Sequence, residues 1–256
     1  MAILRFASLG SGSKGNATLV EAGNTRVLLD CGFSLAETEK RLSQLECPPE
    51  SINAIIVTHE HGDHCAGVGK LSRKYDLPVW LTVGTYHACK DNQFASTHYI
   101  DSHSSFTLGE LELQPFPVPH DAREPCQFVF SNGTRRLGVL TDTGNVTPCI
   151  IEHLSGVDAL LLECNYDANL LSNGVYPYIL KQRVSGNYGH LDNQQSRYIL
   201  EKINTQNLQH LVGMHVSEKN NQASHVMDAL STVKSAKNIE ITIASQETGF
   251  FWKKIL

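Results

Sequence analysis

The segment IIVTHEHGDHCAG, residues 55–67, places four potential metal ligands within six positions, directly after an apolar run. They are His59, His61, Asp63 and His64. Crowding polar groups beside a core is unfavourable unless each group finds a partner. A bound cation supplies that partner, and imidazole and carboxylate are ligands of zinc, iron and manganese. The segment therefore predicts a metal site just past the end of a buried strand.

The spacing of these residues indicates two metal positions. His59 and His61 are two residues apart, so in an extended segment their side chains project to the same side. Asp63 and His64 follow where a turn or the start of a helix would direct them to a second point. Six positions cannot complete two sites, so ligands from elsewhere in the chain are required.

Three further residues stand in the same context, at the end of an apolar run. His120 follows LQPFPVP, Asp142 ends LGVLTD and His215 ends LVGMH. Sheets of α/β proteins place their sites at the carboxyl ends of strands. Asp142 suits a bridging position, because one carboxylate can hold two cations. Asp30 ends VLLD in a similar way, and we expect it to accept backbone N–H bonds from the ligand loop. The histidines that lack this context are interpreted as ordinary surface or core residues: His87, His98, His103, His153, His210 and His225.

Apolar runs and turn residues divide the chain into two similar halves, each with antiparallel strands first and alternating strands and helices after. The predicted strands are AILRFASL, ATLVEA, TRVLLDCG, NAIIVT, GELELQPFPV, VDALLLEC, LQHLVGMHV, IEITIA and GFFWKKI, with a hairpin in QFVFSNGTRRLGVLTD around Asn132-Gly133. The predicted helices are SLAETEKRLSQL, TPCIIEHL, LDNQQSRYILEKI and NQASHVMDALSTVKSA. We expect one α/β domain over residues 1–256, with sheets inside and helices outside.

Composition limits the function classes. The net charge of −5 argues against a generic polyanion binder, although bound divalent cations would add positive charge. The seven cysteines are scattered and form no C-x-x-C pair, which favours reduced thiols. The N-terminus lacks the features of a signal peptide, and no apolar segment is long enough to cross a bilayer. We therefore expect a cytoplasmic protein without a membrane partner.

THEHGDH resembles the H-x-H-x-D-H signature of the metallo-β-lactamase superfamily. The resemblance implies an αββα sandwich, in which two mixed β-sheets are flanked by helices, with a dinuclear site at one edge. It assigns three histidines to one metal, three residues to the other, and one carboxylate as a bridge. In that order, the implied ligands are His59, His61 and His120; Asp63, His64 and His215; and Asp142.

Longer segments are similar to the YycJ-type branch of that superfamily, also called VicX or WalJ. They are SLGSGSKGNATLVEAGNTRVLLDCG, FPVPHDAREP, GVLTDTG, ALLLECNYD, YPYILKQRVSGNYGHLDN and HVSEKNN, where the last has HVS in place of HLS. Members are described as metal-dependent phosphodiesterases with 5′-to-3′ exonuclease activity on DNA. Three features argue against other branches. His61 replaces the Glu of di-iron oxygen reductases, Asp142 replaces the Cys of secreted β-lactamases, and the chain between Asp142 and His215 is too short for a β-CASP insertion.

The resemblance also implies a general acid. In the related transfer-RNA 3′-processing nucleases a histidine in the position of His190, in GHLDN, protonates the leaving group and is held by an acidic residue. Glu163, in LLLECN, is the expected holder, and with Asp63 these are the candidate catalytic residues. From the residues alone, His190 is equally compatible with a helix-capping or surface role. Lys181, Arg183 and Lys219, in predicted loops, and the turn GSGSKGN are compatible with phosphate contacts or with ordinary surface and hairpin roles.

The function predicted is a dinuclear metal-dependent phosphodiesterase that holds two divalent metal ions, zinc, manganese or iron, and attacks phosphorus with a hydroxide held between them. The expected substrate is nucleic acid, DNA in preference to RNA, or a small phosphodiester. Two kinds of alternative remain. One is another hydrolase on the same scaffold, either a thioesterase of the glyoxalase II kind or an RNA-processing nuclease. The other is a non-catalytic regulatory protein.

Overall fold

Short runs of β-branched, leucine and aromatic residues form the strands, and amphipathic runs form the helices, in a computed structural model that describes residues 2–234 and 238–256. The strands are β1 Leu4–Gly10, β2 Ala17–Ala22, β3 Thr25–Leu29, β4 Ala54–Ile56, β5 Pro78–Leu81, β6 Ser96–Tyr99, β7 Phe106–Leu108, β8 Leu111–Pro117, β9 Cys126–Ser131, β10 Arg136–Leu140, β11 Ala159–Glu163, β12 His210–Met214, β13 Glu240–Ile243 and β14 Phe250–Ile255. The helices are α1 Leu35–Gln44, α2 Gly62–Cys65, α3 Val68–Tyr75, α4 Val83–Ala88, α5 Pro148–Leu154, α6 Ala168–Asn173, α7 Tyr178–Ser185, α8 Asn193–Lys202 and α9 Ala223–Leu230.

The strands form two mixed sheets. In the described part of the chain each sheet has seven strands, in the orders β14-β1-β2-β3-β4-β5-β6 and β13-β12-β11-β10-β9-β8-β7. Strand β1 pairs antiparallel with β14 and β2, and β2 with β3, whereas β3 to β6 are parallel. The second sheet is likewise antiparallel from β7 to β10 and parallel from β10 to β13. Parallel neighbours need crossover connections, which explains why helices follow β4, β5, β10 and β11. The predicted order of antiparallel strands before α/β alternation is confirmed.

Three layers of apolar side chains hold this arrangement together. The layer between the sheets draws from both, with Phe6 and Val27 on one side and Phe128 and Leu161 on the other. The outer face of the first sheet packs on α1 and α3, and the outer face of the second sheet packs on α5, α8 and α9. The sheets therefore lie inside and the helices outside, which confirms the predicted αββα sandwich.

The predicted helix starts are present as capped ends. Ser34 accepts a hydrogen bond from the backbone of Glu37 at the start of α1. Thr147 caps α5 directly before a proline at the first helical position. Asp192 and Gln195 form a reciprocal capping box at the start of α8. These caps fix where the chain leaves the sheet edge and enters each helix.

Several local predictions need correction. The β9–β10 hairpin closes between Asn132 and Arg135, so Gly133 and Thr134 are its central residues. The predicted helix over residues 221–236 is shorter at α9, and residues 235 and 236 lie outside the described residues. No sequence pattern predicted α3, β5, α4, β6, β7, α6 or α7. These elements are short, so each shows only one or two periods of apolar spacing. Among the described residues, no helix is both long and apolar enough to cross a lipid bilayer.

Candidate metal centre

Strand ends from both sheets meet at one edge of the sandwich and carry the predicted ligands there. His59 lies three residues past β4, His120 three past β8, Asp142 two past β10 and His215 one past β12. The short helix α2 begins immediately after His61 and brings the last two predicted ligands, Asp63 and His64, to the same edge. All seven predicted ligands fall into two close groups: His59, His61 and His120; and Asp63, His64, Asp142 and His215. Within each group one ligand atom per residue lies within 4.8 Å of the others.

Sharp backbone turns at the strand ends make this convergence possible. Asp30, Asp142 and His215 adopt left-handed conformations, with φ of 62°, 55° and 51°. Such conformations are uncommon outside glycine and cluster at functional sites. The loop after β3 also passes very close to α2, since a Cβ at Gly32 would lie 1.7 Å from the carbonyl oxygen of Asp63. Only glycine fits at position 32.

The first group presents ring nitrogens to one another. Nδ1 of His61 lies 3.1 Å from Nε2 of His59 and 3.2 Å from Nε2 of His120. The outer nitrogen of His120, Nδ1, lies 3.0 Å from the carbonyl oxygen of Gly189, which can only accept, so that nitrogen carries the proton. Nε2 of His120 therefore presents a lone pair to the other two rings.

The tautomer of His59 follows in the same way. Its Nδ1 lies 2.9 Å from the hydroxyl of Thr58, and that hydroxyl donates its proton to Asp30. The hydroxyl oxygen must then accept from Nδ1 of His59, which leaves a lone pair on Nε2. Two lone pairs thus converge on one nitrogen of His61, which carries at most one proton. A cation between the three nitrogens resolves this conflict, so the first group fits a metal ion.

The second group leaves buried polar atoms unsatisfied. Oδ2 of Asp142 is 3.0 Å from Nε2 of His64, and Nε2 of His215 is 3.5 Å from Oδ2 of Asp63. Despite that proximity, Oδ2 of Asp142 and Nε2 of His215 have no hydrogen-bond partner among the described residues. Asp142 and His215 are almost wholly buried. Orphaned atoms of this kind are costly, and a divalent cation bound to both would satisfy them.

Burial and charge act in opposite directions on the second group. Burial disfavours the charged form of His64, but the charges of Asp142 and Asp30 outweigh it and raise the pKa of His64 well above its ordinary value. Burial also acts to lower the pKa of His215, but the charge of Asp142 outweighs it and raises that pKa well above its ordinary value. Burial also opposes ionisation of Asp142, yet the two histidines hold the pKa of its carboxyl well below the ordinary value. Protons would therefore compete with a cation for the histidines of this group.

The first group behaves differently, because no carboxylate contacts it as closely. Burial lowers the pKa of His59 well below its ordinary value. Burial likewise lowers the pKa of His120. Neutral imidazoles are the form that binds metals, so these two ligands are already in that form at neutral pH. The two groups thus differ in how strongly protons compete with a metal.

Neighbouring residues hold the ligands in position through hydrogen bonds. The sequence predicted only some of these residues. Asp30 accepts the backbone N–H of Thr58 at 2.8 Å, as expected, but its other oxygen also holds Nδ1 of His64 at 2.7 Å. The turn GSGSKGN folds against the ligands. The hydroxyl of Ser11 accepts the backbone N–H of His215 at 2.8 Å, and the backbone N–H of Asn16 donates to the carbonyl oxygen of Asp63 at 2.7 Å. The turn therefore braces two ligand segments, a role that neither interpretation from sequence had anticipated.

His190 and Glu163 lie together beside the second group. Nδ1 of His190 is 2.8 Å from Oε1 of Glu163 and 3.5 Å from Oδ1 of Asp142. Burial acts to raise the pKa of Glu163, but the charge of His190 and hydrogen bonds from His190 and His215 hold it below the ordinary value. Glu163 is therefore an ionised, fully buried carboxylate that orients both histidines.

An open cavity of about 350 Å³ lies over the two groups. Its lining includes His61, Asp63, Asp142, His190 and His215. The rest of the lining includes Ser13, Asn165, Ser217, Asn220, Tyr176 and part of α7. The cavity thus exposes ligands from both groups and the His190 side chain to one bound molecule.

The three basic residues considered from sequence occupy different environments. Lys181 and Arg183 lie on α7 and not in loops, which corrects that prediction. Lys181 donates to the carbonyl oxygen of Ser172 at 2.8 Å. Arg183 lines the cavity and its Nε lies 2.6 Å from Oδ2 of Asp121. Lys219 lies over the ring of Tyr176, with Nζ 5.7 Å from the ring centroid. Of the three, only Arg183 lines the cavity itself.

The chain is similar in sequence to a known family and to curated relatives. The model of the beta-lactamase superfamily domain matches residues 25–216. Exodeoxyribonuclease YycJ of Bacillus anthracis is 34% identical over 242 residues, which cover 93% of this chain and 92% of the relative. Exodeoxyribonuclease WalJ of Streptococcus pneumoniae is 30% identical over 223 residues, or 85% of this chain and 83% of the relative.

A solved structure shows the same fold. The metallo-beta-lactamase fold protein YhfI from Bacillus subtilis superposes with a TM-score of 0.75 at 17% identity, over 98% of this chain and 99% of that one. The donor set at the sheet edge is of the kind that binds divalent metal ions. From the match over residues 25–216 and the two relatives, the chain belongs to the metallo-β-lactamase superfamily, in the branch of the YycJ and WalJ proteins.

Proposed function

We propose that this chain is a dinuclear metal-dependent phosphodiesterase that degrades DNA as a 5′-to-3′ exonuclease. The observation that carries the proposal is the His190–Glu163 pair, 2.8 Å apart, beside two ligand groups that face one cavity. The names of the two relatives, both exodeoxyribonucleases, support DNA as the substrate. Polarity is carried over from the family resemblance and is part of the proposal.

The ligand assignment proposed is the one that the family implies, with Asp142 shared. His59, His61 and His120 would hold one divalent cation, and the remaining members of the second group would hold another. When bound, the pair of cations would polarise the phosphodiester and make hydroxide available from water near neutral pH. Zinc, manganese and iron all match the donors.

His190 is proposed as the acid that protonates the leaving oxygen. Because Glu163 engages Nδ1, the proton that can be transferred is on Nε2. His190 is 20% exposed at the cavity wall, so a bound substrate can reach it. Asp63, 24% exposed in the same cavity, is proposed to act both as a ligand and in positioning the reacting phosphate.

The same pair separates this proposal from a thioesterase. A thiolate is a good leaving group and departs without a proton, whereas a nucleoside alkoxide is strongly basic and needs one. A buried glutamate that holds a histidine at the cavity therefore favours phosphodiester cleavage over thioester cleavage. A non-catalytic protein would have no use for unsatisfied buried ligands such as Asp142 and His215, whose cost requires compensation.

The test is digestion of end-labelled oligonucleotides by chelator-stripped protein reloaded with Zn²⁺ or Mn²⁺. DNA labelled at its 5′ end should release labelled mononucleotide from the start, whereas 3′-labelled DNA should give a descending ladder. RNA of the same sequence, bis-p-nitrophenyl phosphate and a glutathione thioester are run in parallel. The His59→Ala variant is the control for a contaminating nuclease, because it should lose metal from one group and with it the activity.

Each alternative function predicts a different result in these assays. Faster cleavage of RNA than of DNA would assign the chain to RNA processing. Hydrolysis of the thioester alone would identify a thioesterase. Metal-loaded protein that cleaves none of these substrates would contradict the enzymatic proposal altogether. A ladder from 5′-labelled DNA would reverse the proposed polarity and leave the phosphodiesterase assignment intact.

A further inference from the structure

The segment from Val175 to Tyr188, which contains α7, has four apolar or aromatic side chains that are more than half exposed. Val175 is 86% exposed, Tyr178 72%, Ile179 80% and Tyr188 64%. None of the residues of α7 is buried. Water-exposed apolar groups that lie close together are typical of an interaction surface, because exposing them is otherwise unfavourable.

This segment forms one wall of the metal-site cavity. Tyr176, Leu180, Arg183 and Val184 line the cavity together with the ligands. Its far end is tied to the ligands by the backbone, since the carbonyl oxygen of Tyr188 accepts the N–H of Asp121 at 2.9 Å. The next carbonyl along, that of Gly189, holds the ring of His120. A molecule lying on the segment is therefore continuous with the reacting centre.

The charge of the segment differs from that of the molecule. The whole chain carries a net charge of −5, yet residues 168–191 contain Lys181 and Arg183 and no aspartate or glutamate. Arg183 is 58% exposed at its side chain and is held at the cavity by Asp121. Lys219 adds a further cation over the ring of Tyr176. A polyanion would therefore meet less repulsion here than the net charge of the whole chain implies.

The exposed ring of Tyr178 is held in place on α7. Nε2 of Gln182 donates to the hydroxyl of Tyr178 at 2.6 Å, one helical turn away, which holds the ring against the helix surface. A ring held in place loses little conformational entropy when a planar group stacks on it. Aromatic and basic residues on one surface are typical of sites that bind single-stranded nucleic acid, where bases stack and cations contact phosphates.

We propose that residues 175–188 bind the single-stranded part of the nucleic-acid substrate that leads into the cavity. Tyr178 and Tyr188 stack on unpaired bases, and Arg183 and Lys219 contact the phosphates beside them. Single strands are the occupant, because bases paired inside a duplex offer no free face to these rings. The inference rests on the proposed function for its substrate and extends it to the part of the strand that is not being cleaved.

The test compares Tyr178→Ala and Tyr188→Ala with Tyr178→Phe and Tyr188→Phe, which keep the rings. Tyr99→Ala is the matched control, because Tyr99 is 55% exposed on β6, outside the segment 175–188. KM and kcat are measured on single-stranded DNA of ten nucleotides. Bis-p-nitrophenyl phosphate is the reference substrate, because it has no further nucleotides to lie on Tyr178 or Tyr188, and neither of these residues lines the cavity. Affinity is measured separately by fluorescence anisotropy with metal-loaded protein and a labelled phosphorothioate oligonucleotide.

Loss of one stacked base should raise KM and Kd for the oligonucleotide roughly 5- to 150-fold in each alanine variant, with kcat changed far less. Tyr188→Phe and Tyr99→Ala should match the unmodified protein. Tyr178→Phe keeps the ring but loses its bond to Gln182, so it should lose much less affinity than Tyr178→Ala. An equal loss on both substrates, or no change on the oligonucleotide, would overturn the proposal. So would sedimentation showing that the unmodified chain dimerises and that both alanine variants are monomers. Oligonucleotide binding without any cleavage would refute the exonuclease assignment while leaving this surface supported.

Discussion

Nδ1 of His190 lies 2.8 Å from Oε1 of Glu163, and the glutamate is completely buried. The other carboxylate oxygen accepts backbone N–H groups from Thr143 at 3.0 Å and Leu191 at 3.3 Å. With both oxygens engaged, the carboxylate has no freedom to rotate, and it fixes the orientation of the His190 ring. The structure thus presents one defined nitrogen of His190, Nε2, to the cavity.

Removing His190 should slow DNA cleavage by about 10²–10⁴-fold, because the leaving alkoxide would lose its proton donor. Hydrolysis of bis-p-nitrophenyl phosphate should fall much less, since p-nitrophenolate leaves without a proton. Initial rates of His190→Ala on both substrates, with metal content by mass spectrometry, provide the measurement. His225→Ala is the matched control, because His225 also lies near a carboxylate, 3.6 Å from Asp167, but outside the cavity lining. Equal losses on the two substrates would exclude an acid role.

Asp142→Ala should remove metal from both positions. Asp142 lies 3.0 Å from both His64 and His215, and it is the proposed bridge between the two groups. Bound metal should contribute about 3–4 kcal/mol to the free energy of unfolding, and losing it should lower Tm by about 5–15 °C. Metal content per chain and thermal unfolding with and without added metal measure the effect. Asp101→Ala, at an exposed carboxylate, is the control. Two metal equivalents in Asp142→Ala would rule out the shared carboxylate.

Metal binding to the second group should release protons, whereas binding to the first should release few. His64 and His215 have raised pKa values in the metal-free chain, so at neutral pH they hold protons that a cation must displace. Affinity at that group should therefore rise with pH until those pKa values are passed. Burial lowers the pKa of His59 and His120, so the first group should bind metal at lower pH.

Titration of stripped protein with Zn²⁺ in weak buffer containing a pH indicator would count the protons released at each step. Calorimetry in two buffers of different ionisation enthalpy gives an independent count. As a control, His64→Ala should reduce the number of protons released when metal binds to the second group. Equal proton release in both steps would contradict the difference expected between the groups.

One domain over residues 1–256 remains a prediction, and unfolding can test it. Phe128 is fully buried in the layer shared by the two sheets, so Phe128→Ala should cost about 3–5 kcal/mol. In a chain of this size that loss should lower Tm by about 6–20 °C. Scanning calorimetry should still show a single transition, and Phe251→Ala, at a 70% exposed ring, should change Tm little. Two separate transitions would mean that the sheets unfold independently.

Much of the candidate site could be predicted because its signal is local. His59 to His64 stand in one loop, and the three remote ligands each follow an apolar run, a context that short-range patterns reveal. The parallel strands then bring their carboxyl ends to one edge whatever the details of the loops. The pairing of His190 with Glu163, 27 positions apart, came from family resemblance, since spacing alone did not distinguish it from a capping residue.

Other features could not be predicted because they depend on contacts between distant segments. The bond from Asp30 to His64 spans 34 positions, and Ser11 reaches the backbone of His215 across 204. Neither residue type at those positions indicates a distant partner. The short elements between α2 and β8 were missed because tertiary packing, rather than local periodicity, defines them. The placement of Arg183 and Tyr176 at the cavity likewise depends on distant segments, because they line it together with Asp63 and His215.

The sequence by itself determined the fold class and the chemical types of the ligands, because hydrophobic periodicity and strand-end position are properties of neighbouring residues. Only the tertiary structure decided which nitrogen each histidine presents, which buried atoms lack partners and which side chains around α7 line the cavity. The physical reason is that tautomers, desolvation and stacking surfaces are set by groups far apart in the chain, whose meeting depends on how the two sheets pack against each other.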